Sequence, residues 1–318
     1  MKKQPLISIL VLILIIVLGF IAFKFLGTPK KPASESKING LIMLIEFENI
    51  EGVLHWEKEL DVRGLTALVQ VQDNILEKYS DVFKRLAAKG YEIGGSYSEA
   101  PFWDMPYEEQ YQAMKKSKEL VECITNKPMR FFGSRYFAYD ENTLKAADAL
   151  GIEFVLARGT AGDKAVIYAP KEYKTKIISV SNVPFEEMGK GSLCDYSLYA
   201  RGATPEDFGK VVDWCLNDKP TDMILVSHAY LGGTRLAWWK EYEKALQSDK
   251  VIWRGNFNEW LNNLEVFSMP VKEIPQNREV QYNVPKPAIP LEQYESIPNL
   301  ETTAPSTSTQ EMMETQCF

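Results

Sequence analysis

The stretch that decides the fold is LTALVQVQDNILEKYSDVFKRLAAKGYEIGG, residues 65–95. Its first seven residues form an apolar run, which is typical of a strand buried on both faces. Asp73 can cap the amphipathic segment that follows, and Gly90 is placed to end that helix. The short run from Tyr91 predicts another strand. The stretch is therefore a strand–helix–strand unit, which indicates a parallel sheet.

The same alternation continues along the chain. Further strands are predicted at LIMLIEF (41–47), MRFF (129–132), EFVL (153–156), MILVS (223–227) and VIW (251–253). Helices are predicted at 106–125 and 141–150, from 204 onward, and at 235–247 and 257–264. Periodicity alone leaves two architectures open, a doubly wound sheet and a closed barrel. In both architectures, catalytic or binding residues are expected at the carboxyl ends of the strands.

Composition excludes several classes of function. The chain has 318 residues and a net charge of −7, which argues against a nucleic-acid partner. Its only histidines are His55 and His228, so a histidine-rich metal site is excluded. The four cysteines have no C-x-x-C spacing, which excludes zinc-finger and thioredoxin-like motifs.

An apolar run near the start of the chain predicts a membrane anchor. PLISILVLILIIVLGFIAF, residues 5–23, has no charged residue. As a helix it would be roughly 28 Å long, close to the thickness of a bilayer core. It lacks a small-x-small cleavage site, which favours an uncleaved anchor over 1–26 rather than a cleaved signal. Lysines lie on both sides of the run, so charge alone does not fix its orientation.

The remaining chain divides by composition. Residues 27–38 predict a polar linker, and 39–268 predict one globular α/β domain. The segment 269–318 contains seven of the 17 prolines and ends in a Thr/Ser tract. We expect this tail to be extended or disordered, because it has little periodic apolar content.

Polar residues cluster where the predicted strands end. They are Glu46, Glu48, Asn49, Ser96–Glu99, Gly133–Tyr136, Ser227 and His228. With the stretches 63–95 and ITNKPMRFFGSRYFAYDENTLKAADALGIEFVLARG (124–159), the chain resembles the polysaccharide deacetylase family over about Leu41 to Leu264. The resemblance implies a distorted (β/α) barrel of about seven parallel strands and metal-dependent removal of N-acetyl groups from polysaccharides. It also implies that most of the chain lies outside the cytoplasm.

The residues of the family's working site are mostly replaced. By resemblance, Glu48 stands at the catalytic base and His228 at the general acid. The metal-binding aspartate corresponds to Asn49, and the paired histidines correspond to Ser96 and Ala100. The arginine of the family's third motif corresponds to Gly133. The resemblance therefore implies a degenerate metal site, with Glu48 and His228 as the candidate catalytic residues.

This replacement predicts that no zinc cofactor is held. A catalytic zinc site needs about three protein ligands, which an amide, a hydroxyl and a methyl group do not supply. Lowering the pKa of water from 15.7 to about 7 is worth roughly 12 kcal/mol in generating the nucleophile. A carboxylate-rich site for a hard cation remains an alternative. Its candidate ligands are Glu46, Glu51, Glu99 and Asp104.

Aromatic residues follow the replaced positions and predict a sugar-binding cleft. Trp103 follows Ser96 and Ala100, which correspond to the family's histidines. Tyr136 and Phe137 follow Gly133, which corresponds to the family's arginine. Flat rings beside polar groups suit the faces of sugars. The alternative is that these rings only close the mouth of the barrel.

Three functions remain open on the sequence. The first is a membrane-tethered, extracytoplasmic protein that binds a cell-surface glycan or a partner without metal-dependent chemistry. The second is a hydrolase of N-acetyl groups that uses an atypical site at Glu48 and His228. The third is a scaffold or interaction protein whose tail carries the function.

Overall fold

The computed structural model describes residues 37–46, 48, 50–159, 164–185, 190–217, 222–278 and 289–301. The chain divides into two units at Lys37 and Ile38, and all but one of the described residues belong to the second. The predicted anchor over 1–26 lies outside the described residues. Within the described ranges, no helix is both long enough and apolar enough to cross a bilayer.

The second unit alternates strands and helices. Its strands are β1 (Ile38–Glu46), β2 (Ala67–Gln72), β3 (Glu92–Tyr97), β4 (Phe131–Ser134), β5 (Phe154–Arg158), β6 (Val166–Pro170), β7 (Lys176–Val180), β8 (Asn182–Pro184), β9 (Lys190–Ser192), β10 (Met223–His228), β11 (Val251–Trp253) and β12 (Val266–Met269). Its helices are α1 (Glu51–Asp61), α2 (Asp73–Lys78), α3 (Ser80–Ala88), α4 (Tyr107–Thr125), α5 (Glu141–Leu150), α6 (Asp195–Tyr199), α7 (Pro205–Asn217), α8 (Ala229–Gly232), α9 (Leu236–Leu246) and α10 (Phe257–Leu261).

The main sheet is mostly parallel. Its hydrogen-bonded order is β10-β1-β2-β3-β4-β5-β7-β6-β12, and β11 pairs with the start of β1. Neighbours from β10 through β7 are all parallel. Strand β6 then runs antiparallel to β7, and β12 runs parallel to β6. The prediction of an α/β chain with a parallel sheet is confirmed.

The sheet curls around one apolar core. Along β1, Leu41 and Met43 point into an inner cluster, whereas Ile42 and Leu44 pack in a second cluster against the helices. The inner cluster also contains side chains from strands at opposite ends of the order, namely Ile224, Val226, Ile167, Ile178 and Val180. Such strands can share one core only if the sheet bends back on itself, as in a (β/α) barrel.

A loop connection, rather than a strand pair, bridges the gap beside β10. The amide of Val226 donates to Leu193 O at 3.0 Å, and the amide of Leu193 donates to Ser181 O at 3.1 Å. The amide of Ile224 donates to Ser181 Oγ at 3.1 Å. These bonds satisfy the edge of β10, which would otherwise present unpaired backbone groups.

Helix α10 fills the amino-terminal end of the curled sheet. Phe257 packs against Phe154 and Phe131, with ring centroids 5.5 and 6.4 Å apart, respectively. Trp260 of the same helix is fully buried. Because this end is packed with aromatic rings, space for a ligand is left at the carboxyl ends of the strands.

Two local features differ from the sequence expectation. The predicted helix after Asp73 is divided at Tyr79, whose backbone (φ −121°, ψ 36°) is not helical. Helix α1 was not predicted, although its buried residues Val53, Trp56 and Leu60 recur at helical spacing. It is held by Trp56, which is fully buried and packs edge-on against Trp239 and Tyr242 at 4.9 and 5.1 Å.

Parts of the C-terminal segment pack on the barrel. The amide of Ile297 donates to Thr234 O at 2.8 Å, and the amide of Leu236 donates to Glu295 O at 2.9 Å. Ile274 and Ile297 are both buried. The expectation of an extended or disordered tail therefore does not hold at these two places. The residues of this segment that contact the barrel are isolated along the chain, so no periodic pattern in the sequence predicts these contacts.

A charged cluster joins α1 to α3 and generates the first prediction. The carboxylate of Glu57, whose side chain is 8% exposed, pairs with Arg85 at 2.5 Å and Lys89 at 2.7 Å. Burial raises the pKa of Glu57, but the hydrogen bonds from Arg85 and Lys89 outweigh it and leave the pKa below its ordinary value. We expect Glu57→Gln to lower the free energy of unfolding near neutral pH by about 2 kcal/mol.

The pH dependence of that loss has a defined sign. The folded-state pKa lies below the unfolded value, so the stabilisation is complete above the unfolded pKa and disappears as the pH falls through the folded pKa. The two proteins should therefore converge in urea unfolding as the pH is lowered. Glu119→Gln, which alters a half-exposed pair with Lys115 at 3.8 Å, is the control. A difference that persists in strong acid would contradict the assignment.

Candidate functional site

A cavity of about 400 Å³ lies at the carboxyl end of the sheet. Neighbouring strands each contribute lining residues at or near their ends, among them Ile45, Gln70, Ser96, Ser134, Arg158 and His228. Its volume falls within the range of small-molecule binding pockets. The sequence analysis predicts that the functional residues lie at this end of the sheet.

The structure brings together some of the predicted site residues and not others. Ser96, Tyr136, Phe137 and His228 line the cavity. Glu48, Ala100 and Trp103 are not among the described lining residues, and Asn49 lies outside the described residues. Glu48 is exposed, and its amide donates to Glu46 Oε1 at 2.6 Å.

A strained turn holds the two cavity aromatics. Tyr136 and Phe137 have φ angles of 62° and 53°, in the left-handed region that side chains with a Cβ rarely adopt. Ser134 stabilises the turn, because its hydroxyl donates to Ala138 O at 2.5 Å. Backbone strain of this kind costs about 1–3 kcal/mol and is common at binding sites.

His228 ends β10 and lies between a carboxylate, a thiol and two aromatic rings. Its Nδ1 is 3.4 Å from Asp195 Oδ1 and 3.2 Å from Cys194 Sγ. Its ring packs against Tyr196 and Tyr230, with centroids 4.8 and 6.0 Å apart. These contacts fix the orientation of the imidazole at the cavity wall.

Asp195 is the fully buried acceptor beneath this histidine. Oδ1 accepts from the amides of Tyr196 at 2.6 Å and His228 at 2.9 Å. Oδ2 accepts from the amide of Gly232 at 3.0 Å and the hydroxyl of Ser227 at 3.1 Å. Four donors compensate for the hydration that this side chain loses on burial.

The thiol of Cys194 is kept neutral. Burial, and next the charge of Asp195, raise the pKa of Cys194 well above its ordinary value. The neutral thiol donates to Asp195 Oδ1 at 3.5 Å, which leaves its sulfur as an acceptor. Nδ1 of His228 therefore faces two acceptors, which favours the tautomer with the proton on Nδ1. Cys194 itself is not an activated nucleophile.

Cys194, Asp195 and His228 lie close enough to suggest a metal site but do not fit one. One ligand atom from each lies within 4.8 Å of the others. Both oxygens of Asp195 are already engaged by the four donors described above, and the thiol is not a thiolate. A cation would have to displace these bonds and remove a proton from a buried thiol.

Ser96 and Gly133, which the resemblance assigns to a metal-ligand position and to the arginine position, lie beside Gln70. Ala100 has no ligand atom, and Ser96 Oγ accepts a hydrogen bond from Gln70 Nε2 at 2.9 Å. The same Nε2 donates to Gly133 O at 2.9 Å. A Cβ on Gly133 would lie 2.9 Å from the Gln70 amide atoms, so this amide fills space beside the position of the family's arginine. One glutamine thus bridges two replaced positions.

The carboxylate-rich alternative is not supported within the described ranges. The one group of three or more metal-ligating side chains found there is Cys194, Asp195 and His228. The carboxylate of Glu99 accepts from the Tyr97 hydroxyl at 3.2 Å, and Asp104 pairs with Arg278 at 2.9 Å. These acids are engaged separately rather than gathered around one point.

Glu48 lies close enough to the His228 environment to affect it electrostatically. Burial is the main reason that the pKa values of Tyr196 and Tyr230 are raised, and the charge of Glu48 adds to both shifts. These are the two rings that contact His228. The charge of Glu48 therefore acts on the same two tyrosines that His228 contacts.

Comparison with known proteins identifies the fold. Residues 53–155 match the family described as "Polysaccharide deacetylase". The resemblance seen in the sequence is confirmed. None of the curated proteins compared matches the chain.

Solved structures share this deacetylase-like fold at low sequence identity. A protein from Mycobacterium smegmatis assigned as a polysaccharide deacetylase is 13% identical over 74% of this chain and 94% of its own, with a TM-score of 0.56. One from Pseudomonas aeruginosa PAO1 with the same assignment is 14% identical over 71% and 90%, with a TM-score of 0.52. Puue allantoinase is 12% identical over 74% and 93%, with a TM-score of 0.53. At these identities the likeness concerns the fold alone.

Sequence reasoning missed the residues that support the site. Asp195 and Cys194 follow the short strand β9, and no periodic pattern marks them. Gln70 lies within an apolar strand, and Arg158 ends another. Each is a polar residue in an otherwise apolar run. Because buried polar residues need hydrogen-bond partners, this pattern could have identified Gln70 and Arg158 as candidates.

The Asp195 network generates the second prediction. Asp195→Asn replaces one acceptor oxygen with a donor that faces amides and a hydroxyl. We expect the free energy of unfolding to fall by about 3 kcal/mol. We also expect the tautomer balance of His228 to shift, which nitrogen NMR of the chain's two histidines can resolve.

Asp222→Asn is the matched control. Asp222 lies just before the other end of β10, and its Oδ1 accepts from the amide and side chain of Asn39, both at 2.9 Å, so an asparagine can retain the acceptor. It should leave the His228 spectrum unchanged. If Asp195→Asn also left stability and spectrum unchanged, the role given to Asp195 would be wrong.

Proposed function

We propose that the chain is a membrane-anchored, extracytoplasmic polysaccharide-deacetylase-like protein that binds glycan without metal-dependent deacetylation. The observation that carries the proposal is the Gln70 bridge between Ser96 and Gly133. In place of a cation and its ligands, this part of the cavity wall has a neutral amide hydrogen-bonded to a hydroxyl and a carbonyl oxygen.

The chemistry of the cavity supports sugar binding. Gln72, Ser96, Ser98 and other polar residues supply amide and hydroxyl groups, and the rings of Tyr136 and Tyr196 lie in the same wall. Sugars present hydroxyls at their edges and C–H groups on their faces, so a cleft with both polar groups and rings suits them. The imidazole of His228, oriented by Asp195, adds a hydrogen-bonding group.

The membrane part of the proposal rests on the sequence. Residues 5–23 are apolar and uncharged, and a polar linker separates them from the deacetylase-like unit. A barrel held at the outer surface of a membrane would meet cell-surface glycans at high local concentration.

Hydrolysis of N-acetyl groups at an atypical site is the second candidate. The electrostatic effect of Glu48 on Tyr196 and Tyr230, the two rings that contact His228, favours it over a purely structural role for the barrel. With Nδ1 protonated, Nε2 of His228 is the ring nitrogen that would act as the base towards water. We rank hydrolysis second because Glu48, the acid that would act with this base, is exposed and is not among the described lining residues of the cavity.

Metal content and acetate release separate the two candidates. Purified full-length chain, dialysed against zinc and analysed by mass spectrometry, should contain far less than one zinc per chain. It should release no acetate from an N-acetylglucosamine oligomer. Stoichiometric zinc would refute the binding proposal. Acetate release abolished by Glu48→Gln and His228→Ala would establish the second candidate instead.

Glycan binding is tested at Tyr136. We expect the full-length chain to bind an oligosaccharide in calorimetry and Tyr136→Ala to weaken binding about tenfold, because the stacking surface is lost. Tyr107→Ala, on helix α4 and outside the lining, is the control and should bind like the unaltered chain. Equal affinities for both variants would mean that the cavity is not the binding site.

A further inference from the structure

One exposed cysteine of the barrel unit is oxidised. Cys123 lies in the last turn of helix α4 and is disulfide-bonded. The other two described cysteines, Cys194 and Cys215, are buried free thiols. The partner of Cys123 is therefore not among the described residues. The one cysteine of the sequence that remains is Cys317.

The two free thiols are enclosed by the fold. Cys215 lies in the core on α7, and burial raises its pKa to about 12. Burial, and next the charge of Asp195, raise the pKa of Cys194 well above its ordinary value. Disulfide exchange requires an accessible thiolate, which neither group supplies in the folded chain. Both are therefore expected to stay reduced while Cys123 is oxidised.

The last described residues bring the C-terminal segment close to the helices that carry Cys123. Leu300 packs against the larger core cluster. Hydrogen bonding to Glu57 is the main reason that the pKa of Arg85 on α3 is raised, and the charge of Glu301 adds to the shift. Glu301 is therefore close enough to act on α3 electrostatically. Helix α3 in turn packs against α4.

Helices α3 and α4 meet at the end of α4 that contains Cys123. Lys127 follows α4, and its Nζ donates to Ala87 O in the last turn of α3. Cys123 lies about one helical turn before Lys127. Sixteen residues separate Glu301 from Cys317. An extended chain of that length spans roughly 55 Å, whereas packed helices lie only about 10 Å apart, so Cys317 can reach Cys123.

We propose that Cys123 and Cys317 form an intramolecular disulfide that fastens the C-terminal segment to α4. Forming the bond removes two protons and two electrons from the two thiols. The oxidant is a thiol–disulfide oxidoreductase in its disulfide form. One thiolate of the chain attacks a sulfur of that disulfide to give a mixed disulfide. The second thiolate then attacks the chain's own sulfur and releases the oxidoreductase as a dithiol, which carries away both electrons and both protons.

The disulfide fixes the side of the membrane on which the barrel lies. Lysines on both sides of residues 5–23 leave that orientation open. Cytoplasmic thiols are kept reduced, whereas disulfides persist outside the cytoplasm. A chain oxidised at Cys123 therefore has its barrel on the outer side. This inference rests on the membrane-anchored, extracytoplasmic part of the proposed function and adds the covalent bond that accompanies it.

Peptide mapping of the full-length chain tests the bond. Free thiols are blocked in living cells with a membrane-permeant alkylating agent, and the purified chain is digested with trypsin without reduction. We expect the peptide 119–130, which contains Cys123, to be joined to the peptide 279–318, which contains Cys317. Alkylated Cys123 and Cys317 would overturn the inference. A non-reducing gel that shows a disulfide-linked dimer of the chain would overturn the intramolecular assignment.

Cysteine variants identify the partners by counting thiols in denaturant without reductant. The unaltered chain should have two, because two of its four cysteines are bonded. Cys123→Ser and Cys317→Ser should each raise the count to three, since each frees the other cysteine. Cys215→Ala is the matched control and should lower the count to one. Four thiols in the unaltered chain would contradict the proposal.

The outcome is independent of sugar binding, because Cys123 is not among the described lining residues of the cavity. A reduced Cys123 in a chain that binds oligosaccharide overturns the disulfide and leaves glycan binding standing. A linked pair of peptides in a chain that binds no oligosaccharide supports the disulfide, and the proposed glycan binding then fails alone.

Discussion

The arrangement of the site depends on one buried carboxylate. Asp195 receives hydrogen bonds from the amides of Tyr196, His228 and Gly232 and from the Ser227 hydroxyl. These donors belong to α6, β10 and α8, so one side chain ties three elements to the end of the sheet. Ser227 in turn accepts from Trp56 Nε1 at 3.2 Å, which connects helix α1 to the same network. Neutralising the charge would leave several donors unsatisfied at once.

A second constraint acts on the opposite wall, where Gln70 connects β3 and β4. Its amide nitrogen donates both to Ser96 Oγ and to Gly133 O. Gly133 can have no side chain here, because a Cβ would press on that amide. The identities of Ser96 and Gly133 are thus physically linked, since a glutamine that bridges them needs a short side chain at one position and none at the other.

Together these constraints define a cavity whose walls differ in character. The Gln70 wall is neutral and hydrogen-bonded, the Tyr136 wall is aromatic, and Arg158 and Arg201 supply positive charge. Such a cavity offers both polar groups and ring faces, which together suit a polar ligand. The fold is that of the polysaccharide deacetylases, but fold alone does not assign activity, which depends on these particular side chains.

The sequence by itself determined the alternation of strands and helices, the mostly parallel sheet and the location of the site at strand ends. These follow from local patterns, such as the apolar runs in β1 and β10 and the capping residue Asp140 before α5, because local periodicity encodes secondary structure. It also singled out His228, which the structure places in the cavity wall.

Only the tertiary structure decided how residues far apart in the chain meet. Asp195 is 32 positions from Ser227, and Gln70 is 63 from Gly133, so no local pattern could join them. The same holds for Arg158 and Arg201, whose positive charges meet only when the sheet curls around its core. The packing of Trp56 and Ile297 likewise depends on partners distant in sequence, which local patterns do not specify.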